Sequence, residues 1–260
     1  KSASCVIISI LSQFADFLQT FFQRLFLKLL AITAMTCDHA ALAFLSSDSV
    51  LYYLMRGFGR ITAPIMAFFI AEGFMHTKSR IKYLSRLGAF ALISQPFYFI
   101  LVFSRIPNNT FEFVTNLNVM FAFCSSLAIL IIYENHKFTI WLKVVLIGIC
   151  LAFFDICDWS YIIPAWTLAF RIFRNKPLQR YIVFIIISIL LPLQKYLPQF
   201  DSFQEYSYFF AVLLAIIPIS LYNGKKCAAR HGGKYLSKWG FYIYYPLHIG
   251  LIILIKRAVG

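Results

Sequence analysis

The run LLAITAMTCDHAALAFL, residues 29–45, decides what kind of protein this is. It is apolar almost throughout, yet Asp38 and His39 stand side by side near its outer third. A charge at bilayer depth costs ~2.5 to 3.5 kcal/mol on insertion scales, so such groups are usually paired and usually functional. Two questions follow: whether the chain is a membrane protein, and what a buried carboxylate and imidazole do in it.

Composition answers the first. Only 13% of the 260 residues are charged and 61% are hydrophobic, against about 25% charged in an average soluble domain. That excludes a disordered chain and argues against a soluble bundle. The expected fold is all-α: one membrane domain over 1–260, with about nine transmembrane helices within 28–257. The apolar segments fall at 29–45, 60–76, 84–103, 117–133, 139–154, 159–173, 181–197, 206–222 and 239–255. The sixth is short and holds Pro164, so it is tilted, broken or re-entrant rather than a plain crossing. Residues 5–24 read differently. Ser9, Ser12, Asp16, Gln19 and Gln23 draw one polar stripe along an otherwise apolar helix, the pattern of a helix lying in the membrane interface.

The net charge of +14 would suggest nucleic acid in a soluble protein; here its placement matters more. Arg24 and Lys28; Lys78, Arg80, Lys82 and Arg86; Lys137 and Lys143; Arg171, Arg174, Lys176 and Arg180; and Lys225 to Lys238 occupy alternate loops, with Glu134 as their acidic companion. Asp48, Glu112, Asp155, Asp158, Asp201 and Glu205 fall in the others. Basic loops stay in the cytoplasm, so the amino end is expected inside a bacterial inner membrane and the first span runs outward. Lys256 and Arg257 break the alternation at the far end. The six cysteines are scattered without CxxC spacing and read as small apolar residues.

Further polar groups lie in or near these spans. RGFGRITAPIMAFFIAEGFMHTKSR, residues 56–80, puts Arg60 at the outer end of the second span and Glu72 and His76 one turn apart at its inner end. Gly57, Gly59 and Pro64 mark an irregular start where backbones approach closely. Gln95 precedes Pro96 in FALISQPFYFI, Asn118 opens the fourth segment, and His248 follows Pro246 in FYIYYPLHIGLIILI. Each has a plain reading alone: snorkelling arginine, capping pair, interhelical glue. Together, Asp38, His39, Arg60, Glu72 and His248 are too many ionisable groups for architecture. Histidine is the commonest general base, a carboxylate can orient it, and an arginine can stabilise an oxyanion. No phosphate-loop, flavin or metal motif is present in the sequence.

The strings LKLLAITAMTCDHAALAFL, MRGFGRITAPIMAFFIAEGFMHTKSRIKYLSRL, ALISQPF, LNVMFAF and FYIYYPLHIGLIILI together resemble the TraX family of conjugal-transfer membrane proteins. That family is associated with pilin N-acetylation and is distantly related to integral-membrane acyltransferases. The stretch DWSYIIPAWTLAF departs from its pattern, with Ser160 and Pro164 where glycines are expected. The resemblance implies acetyl transfer from cytoplasmic acetyl-CoA to an amine or hydroxyl on the outer side, with the acceptor a peptide, a glycan or a small molecule. It assigns Asp38, His39, Arg60, Glu72 and His248 to catalysis, with Gln95 and Asn118 beside the donor. Lys78, Arg80 and Arg86 suit the phosphates of CoA or anionic lipid, although positive-inside sorting alone would also place them there. Two other readings use the same groups: a proton-coupled transporter and a non-catalytic pilus or secretion assembly factor.

Overall fold

Helix starts are written into the sequence as capping residues. In the computed structural model, the side chain of Ser79 accepts from the Lys82 amide, Asn109 from Glu112, Asn118 from Met120 and Thr139 from Leu142. Each satisfies an amide that the first turn leaves without a partner. The structure describes residues 25–196, 208–222 and 231–259, without the side chains of 192, 194–196, 208 and 231–238. The expected interfacial helix over 5–24 lies outside the described residues.

The elements are α1 (Leu25–Phe44), α2 (Val50–Arg60), α3 (Thr62–His76), α4 (Arg80–Phe103), α5 (Thr110–Thr115) and α6 (Val119–Tyr133). After them come α7 (Ile140–Phe153), α8 (Ile162–Ile172), α9 (Pro177–Tyr196), a 3-10 helix (Tyr208–Ala215), α10 (Ile216–Ser220) and α11 (His231–Val259). Every expected apolar segment coincides with a helix. The stretches Leu25–Phe44, Val50–His76, Arg80–Phe103 and Trp239–Val259 are long and apolar enough to cross a membrane, and five shorter apolar helices accompany them. Large apolar side chains such as Leu92, Trp141, Val145, Leu247 and Leu254 lie exposed along α4, α7 and α11, a surface suited to lipid rather than water. The chain is an all-α polytopic membrane protein.

The centre is α3, which packs on α6, α8 and the 3-10 helix. In Val50–His76, the α2–α3 stretch, 72% of the most apolar part is buried, against 28–33% for the other long spans. The 11-residue α8 is short because it is interior: Ile162, Ile163, Trp166, Ala169 and Phe170 are all buried. The loop before it runs alongside the start of α6, where the Leu117 amide donates to the Ile156 carbonyl and the Asp158 amide to the Leu117 carbonyl. Irregular backbone at this depth is tolerated where protein surrounds it or a cavity adjoins it. Both conditions are met here.

One boundary differs from expectation. Residues 50–59, read as part of an outer loop, form α2, whose Val50, Leu51, Leu54 and Phe58 are exposed while Gly57, Gly59 and Arg60 are buried. The turn pattern missed it because a helix with one apolar and one polar side has too little net hydrophobicity to count as a span. The two helices meet at Ile61, a single right-handed turn residue between the two glycines and Pro64.

Candidate active site

Asp38 reaches its partners because Gly59 has no side chain. A Cβ built on Gly59 would stand 2.3 Å from the Asp38 Cβ, so only glycine lets α2 pass this close to α1. The carboxylate then accepts from two arginines one turn apart on α2, Arg56 Nη1 to Oδ2 at 2.8 Å and Arg60 Nη2 to Oδ1 at 2.8 Å. The Arg60 guanidinium also lies 5.1 Å from the ring centroid of Trp159. Asp38 therefore anchors the two cations and makes no hydrogen bond to its neighbour His39.

His39 has a different partner from the carboxylate expected. Its Nδ1 lies 2.7 Å from Nε2 of His248, with the ring centroids 4.9 Å apart and the planes within 11° of parallel. The other His248 nitrogen, Nδ1, lies 2.8 Å from the Tyr244 carbonyl oxygen. A carbonyl only accepts, so His248 Nδ1 carries the proton. In the neutral ring its Nε2 is then the acceptor, and His39 Nδ1–H must be the donor. That fixes His39 as the tautomer whose Nε2 holds a lone pair, the form a general base needs. No described residue hydrogen-bonds to that nitrogen. Tyr244 is itself held, its hydroxyl 2.7 Å from Thr36 Oγ1, which donates to the Ile32 carbonyl.

These groups line a cavity of about 40 Å³. Asp38, His39, Arg60, Asp158 and Tyr245 form its polar wall, and Met35, Met66, Val119 and Phe123 part of its apolar one. It has room for about three waters. Asp158 comes from the loop between α7 and α8. Burial pushes its carboxyl above the ordinary range, with Asp38 adding to the shift and the Arg60 guanidinium opposing it. The backbone of the same loop is strained: Trp159 and Ser160 adopt φ of 64° and 41°, the left-handed region that costs ordinary residues and favours glycine. The Ser160 hydroxyl donates to Asp155 Oδ1.

Asp38, His39, Arg60 and His248 thus lie together, and the remaining candidates lie elsewhere. Gln95 uses its full capacity inside the protein. Its amide donates to the carbonyls of Phe113 (3.1 Å) and Asn116 (2.7 Å), and its oxygen accepts twice from Asn118 at 2.9 Å. Asn118 also donates to the Ala91 carbonyl and caps α6. Together they staple α4 to α6 rather than offering a hydrogen bond to a cofactor. Glu72 is twelve positions beyond Arg60, roughly 18 Å along the helix direction, and pairs with Arg174 at 3.2 Å and His76 at 3.6 Å. Arg80 pairs with Glu134 and covers the Phe74 ring, Arg86 lies against Tyr83 and Trp239, and Lys78 is exposed.

Three residues escaped the sequence reading, Tyr245 and Asp158 lining the cavity and Arg56 held by Asp38 beside it. Arg56 lies one turn before Arg60 and Tyr245 three residues before His248, so helical spacing from a candidate already in hand would have found both. Asp158 stands at the stretch that departs from the family pattern, and the Trp159–Ser160 turn takes the left-handed backbone there without a glycine.

A bundle of apolar helices enclosing a histidine pair and an arginine-bound carboxylate defines a polytopic membrane protein with a buried polar site. The model of the TraX protein family matches residues 23–256, and this chain belongs to that family. It is 34% identical over 242 residues to a probable fimbrial assembly protein, FimC of serogroup H1, from Dichelobacter nodosus, covering 88% of this chain and 94% of that one. No solved structure matches the chain.

Proposed function

We propose that the protein transfers an acyl group, acetyl by the family resemblance, from acetyl-CoA to an amine or hydroxyl acceptor. The observation that carries this reading is the His39–His248–Tyr244 carbonyl relay beside a cavity that Arg60 and Asp158 also line. His39 Nε2 takes the proton of the acceptor as its nitrogen or oxygen bonds to the thioester carbon. The carbon–sulfur bond then breaks, and the same proton leaves on the CoA sulfur. His248 steadies the imidazolium through its hydrogen bond, the part a carboxylate plays in the familiar triads. Asp38 holds Arg56 and Arg60 in place, and Arg60 supplies positive potential where the oxyanion develops.

Donor and acceptor would approach from opposite faces. The helix ends bearing Lys78, Arg80, Arg86, Arg171 and Arg174 suit CoA phosphates or anionic lipid and are assigned to the cytoplasm. The His39 end is assigned to the outer face of the bacterial inner membrane, where a peptide, glycan or small molecule is acylated. The test is purified protein with radiolabelled acetyl-CoA: label transfer or CoA release, lost in His39→Ala, supports the reading, and substrate flux without turnover supports a transporter.

The relative's name favours a second reading, a fimbrial assembly factor. If assembly alone is the role, Asp38→Asn and His39→Ala leave pilus formation intact whenever the protein still folds.

A further inference from the structure

We propose that Tyr245 is a catalytic residue of this site, its hydroxyl donating the hydrogen bond that holds the substrate carbonyl oxygen as negative charge builds on it. The inference rests on the acyl-transfer reading above.

Tyr245 stands on α11 three residues before His248 and so shares its face. The residue is 1% exposed and lines the cavity with His39, Arg60 and Asp158. Its ring centroid lies 6.2 Å from that of His39 and 5.7 Å from that of His248. Its hydroxyl is buried and has no hydrogen-bond partner among the described residues. A buried tyrosine hydroxyl usually finds a partner, and one left unmade is costly. Its neighbour in sequence obeys that rule, since the Tyr244 hydroxyl is 2.7 Å from Thr36. An orphaned donor beside a prospective base is where a ligand oxygen would complete the set.

Two arginines and the His39 imidazole already spend N–H groups on protein partners. Arg56 and Arg60 both hold Asp38, and His39 Nδ1–H is given to His248. Tyr245 supplies a neutral O–H that is satisfied only when substrate arrives. As the acceptor's lone pair forms the new bond to the thioester carbon, the carbonyl π pair moves onto oxygen. The Tyr245 O–H donates to that oxygen and keeps its proton. When the pair returns, the carbon–sulfur bond breaks and the thiolate leaves with the proton that His39 carried. The interaction is strongest in the transition state, which is where it accelerates the reaction.

Tyr245→Phe separates this role from space-filling. It removes one oxygen, keeps the ring and deletes an unpaired buried group, so a packing residue would keep full turnover and equal or higher thermal stability. Wild type, Tyr245→Phe and His39→Ala are compared in nanodiscs with radiolabelled acetyl-CoA and a free-amine peptide, following CoA release and peptide label. The expected result is a kcat lower by about 100-fold in Tyr245→Phe, an unchanged KM for acetyl-CoA, and an unfolding temperature no lower than wild type. A Tyr245→Phe protein with wild-type kcat overturns this proposal and leaves the His39 reading standing. So does a fall in kcat that merely tracks a fall in unfolding temperature. A wild type with no transfer and no CoA release overturns both.

Discussion

Both ends of this bundle gather charge, and they use it in opposite ways. At the basic end, two carboxylates tie helices together. Glu72 on α3 bridges to Arg174 beyond α8, and Glu134 after α6 meets Arg80 of α4 and Arg171 of α8. At the other end, Asp38 absorbs two arginines, and its neighbour His39 is bonded to a second histidine beside a cavity. The first arrangement is made of ion pairs between helices, although Glu72 Oε2 and Arg171 Nε still lack a hydrogen bond there. At the second, an imidazole lone pair and a tyrosine hydroxyl have no hydrogen-bond partner among the described residues and stand beside a cavity. Neither ion pairs nor leftover polar atoms mark a site by themselves; what sets this end apart is that both lie at one cavity.

The sharpest break in that comparison is functional. His39→Ala removes the prospective base and is expected to lower acyl transfer by ~10²- to 10⁴-fold, while Glu134→Gln changes turnover little. Transfer assays on both variants decide it: equal losses would mean the two ends are not functionally distinct.

Stability comes next in size. Asp38 is 15% exposed and balances two guanidiniums that are 14% and 9% exposed. Asp38→Asn strands those charges and is expected to cost about 3 kcal/mol. Glu134→Gln acts on partners that are 42% and 27% exposed, and should cost about 1 kcal/mol or less. Thermal unfolding in detergent measures both, and a larger loss for Glu134→Gln would reverse the contrast.

Gly59→Ala probes the same pair from the backbone. Its methyl cannot fit 2.3 Å from the Asp38 Cβ, so α2 must move away, at about 1 to 3 kcal/mol. Lost transfer should accompany the loss of stability. A neutral result would mean that the close passage of α1 and α2 is not what seats Asp38.

The sequence made the architecture legible because lipid imposes a blunt rule. Apolar runs had to become helices, and they did. It also exposed Asp38, His39, Arg60 and His248, because ionisable groups are conspicuous in such runs. Which of them touch was not legible. His39 and His248 are 209 positions apart, and nothing in spacing says that an imidazole will choose another imidazole over the aspartate beside it. Adjacent residues on a helix point ~100° apart, which is why the neighbour in sequence lost. Gln95 and Asn118 read as interhelical glue from the residues alone, and only the resemblance placed them beside the donor; a saturated staple and an open site have the same residue types and differ only in what is already bonded. Ser160 in place of a glycine suggested a departure in packing, whereas the backbone keeps the left-handed turn and carries the strain.

Asp158 offers the finest test, because at its carboxyl the effect of burial outweighs that of the arginines. Its carboxyl sits above the ordinary range through loss of water first, with Asp38 adding to the shift and Arg60 and Arg56 opposing it. A carboxyl raised in the folded state binds protons more readily there than in the unfolded chain, so its contribution to stability falls as pH rises through that window. Asparagine resembles the protonated acid and does not titrate. Wild type and Asp158→Asn should therefore unfold at similar temperatures below the ordinary carboxylate range, and wild type should fall behind as pH rises to neutrality. Unfolding scans against pH read that difference directly. If Asp158→Asn is instead the less stable protein at neutral pH, the charge is needed by Arg60. The cavity would then be held by two acid–arginine pairs, and the contrast between the two ends of the bundle would narrow to the histidines and Tyr245 alone.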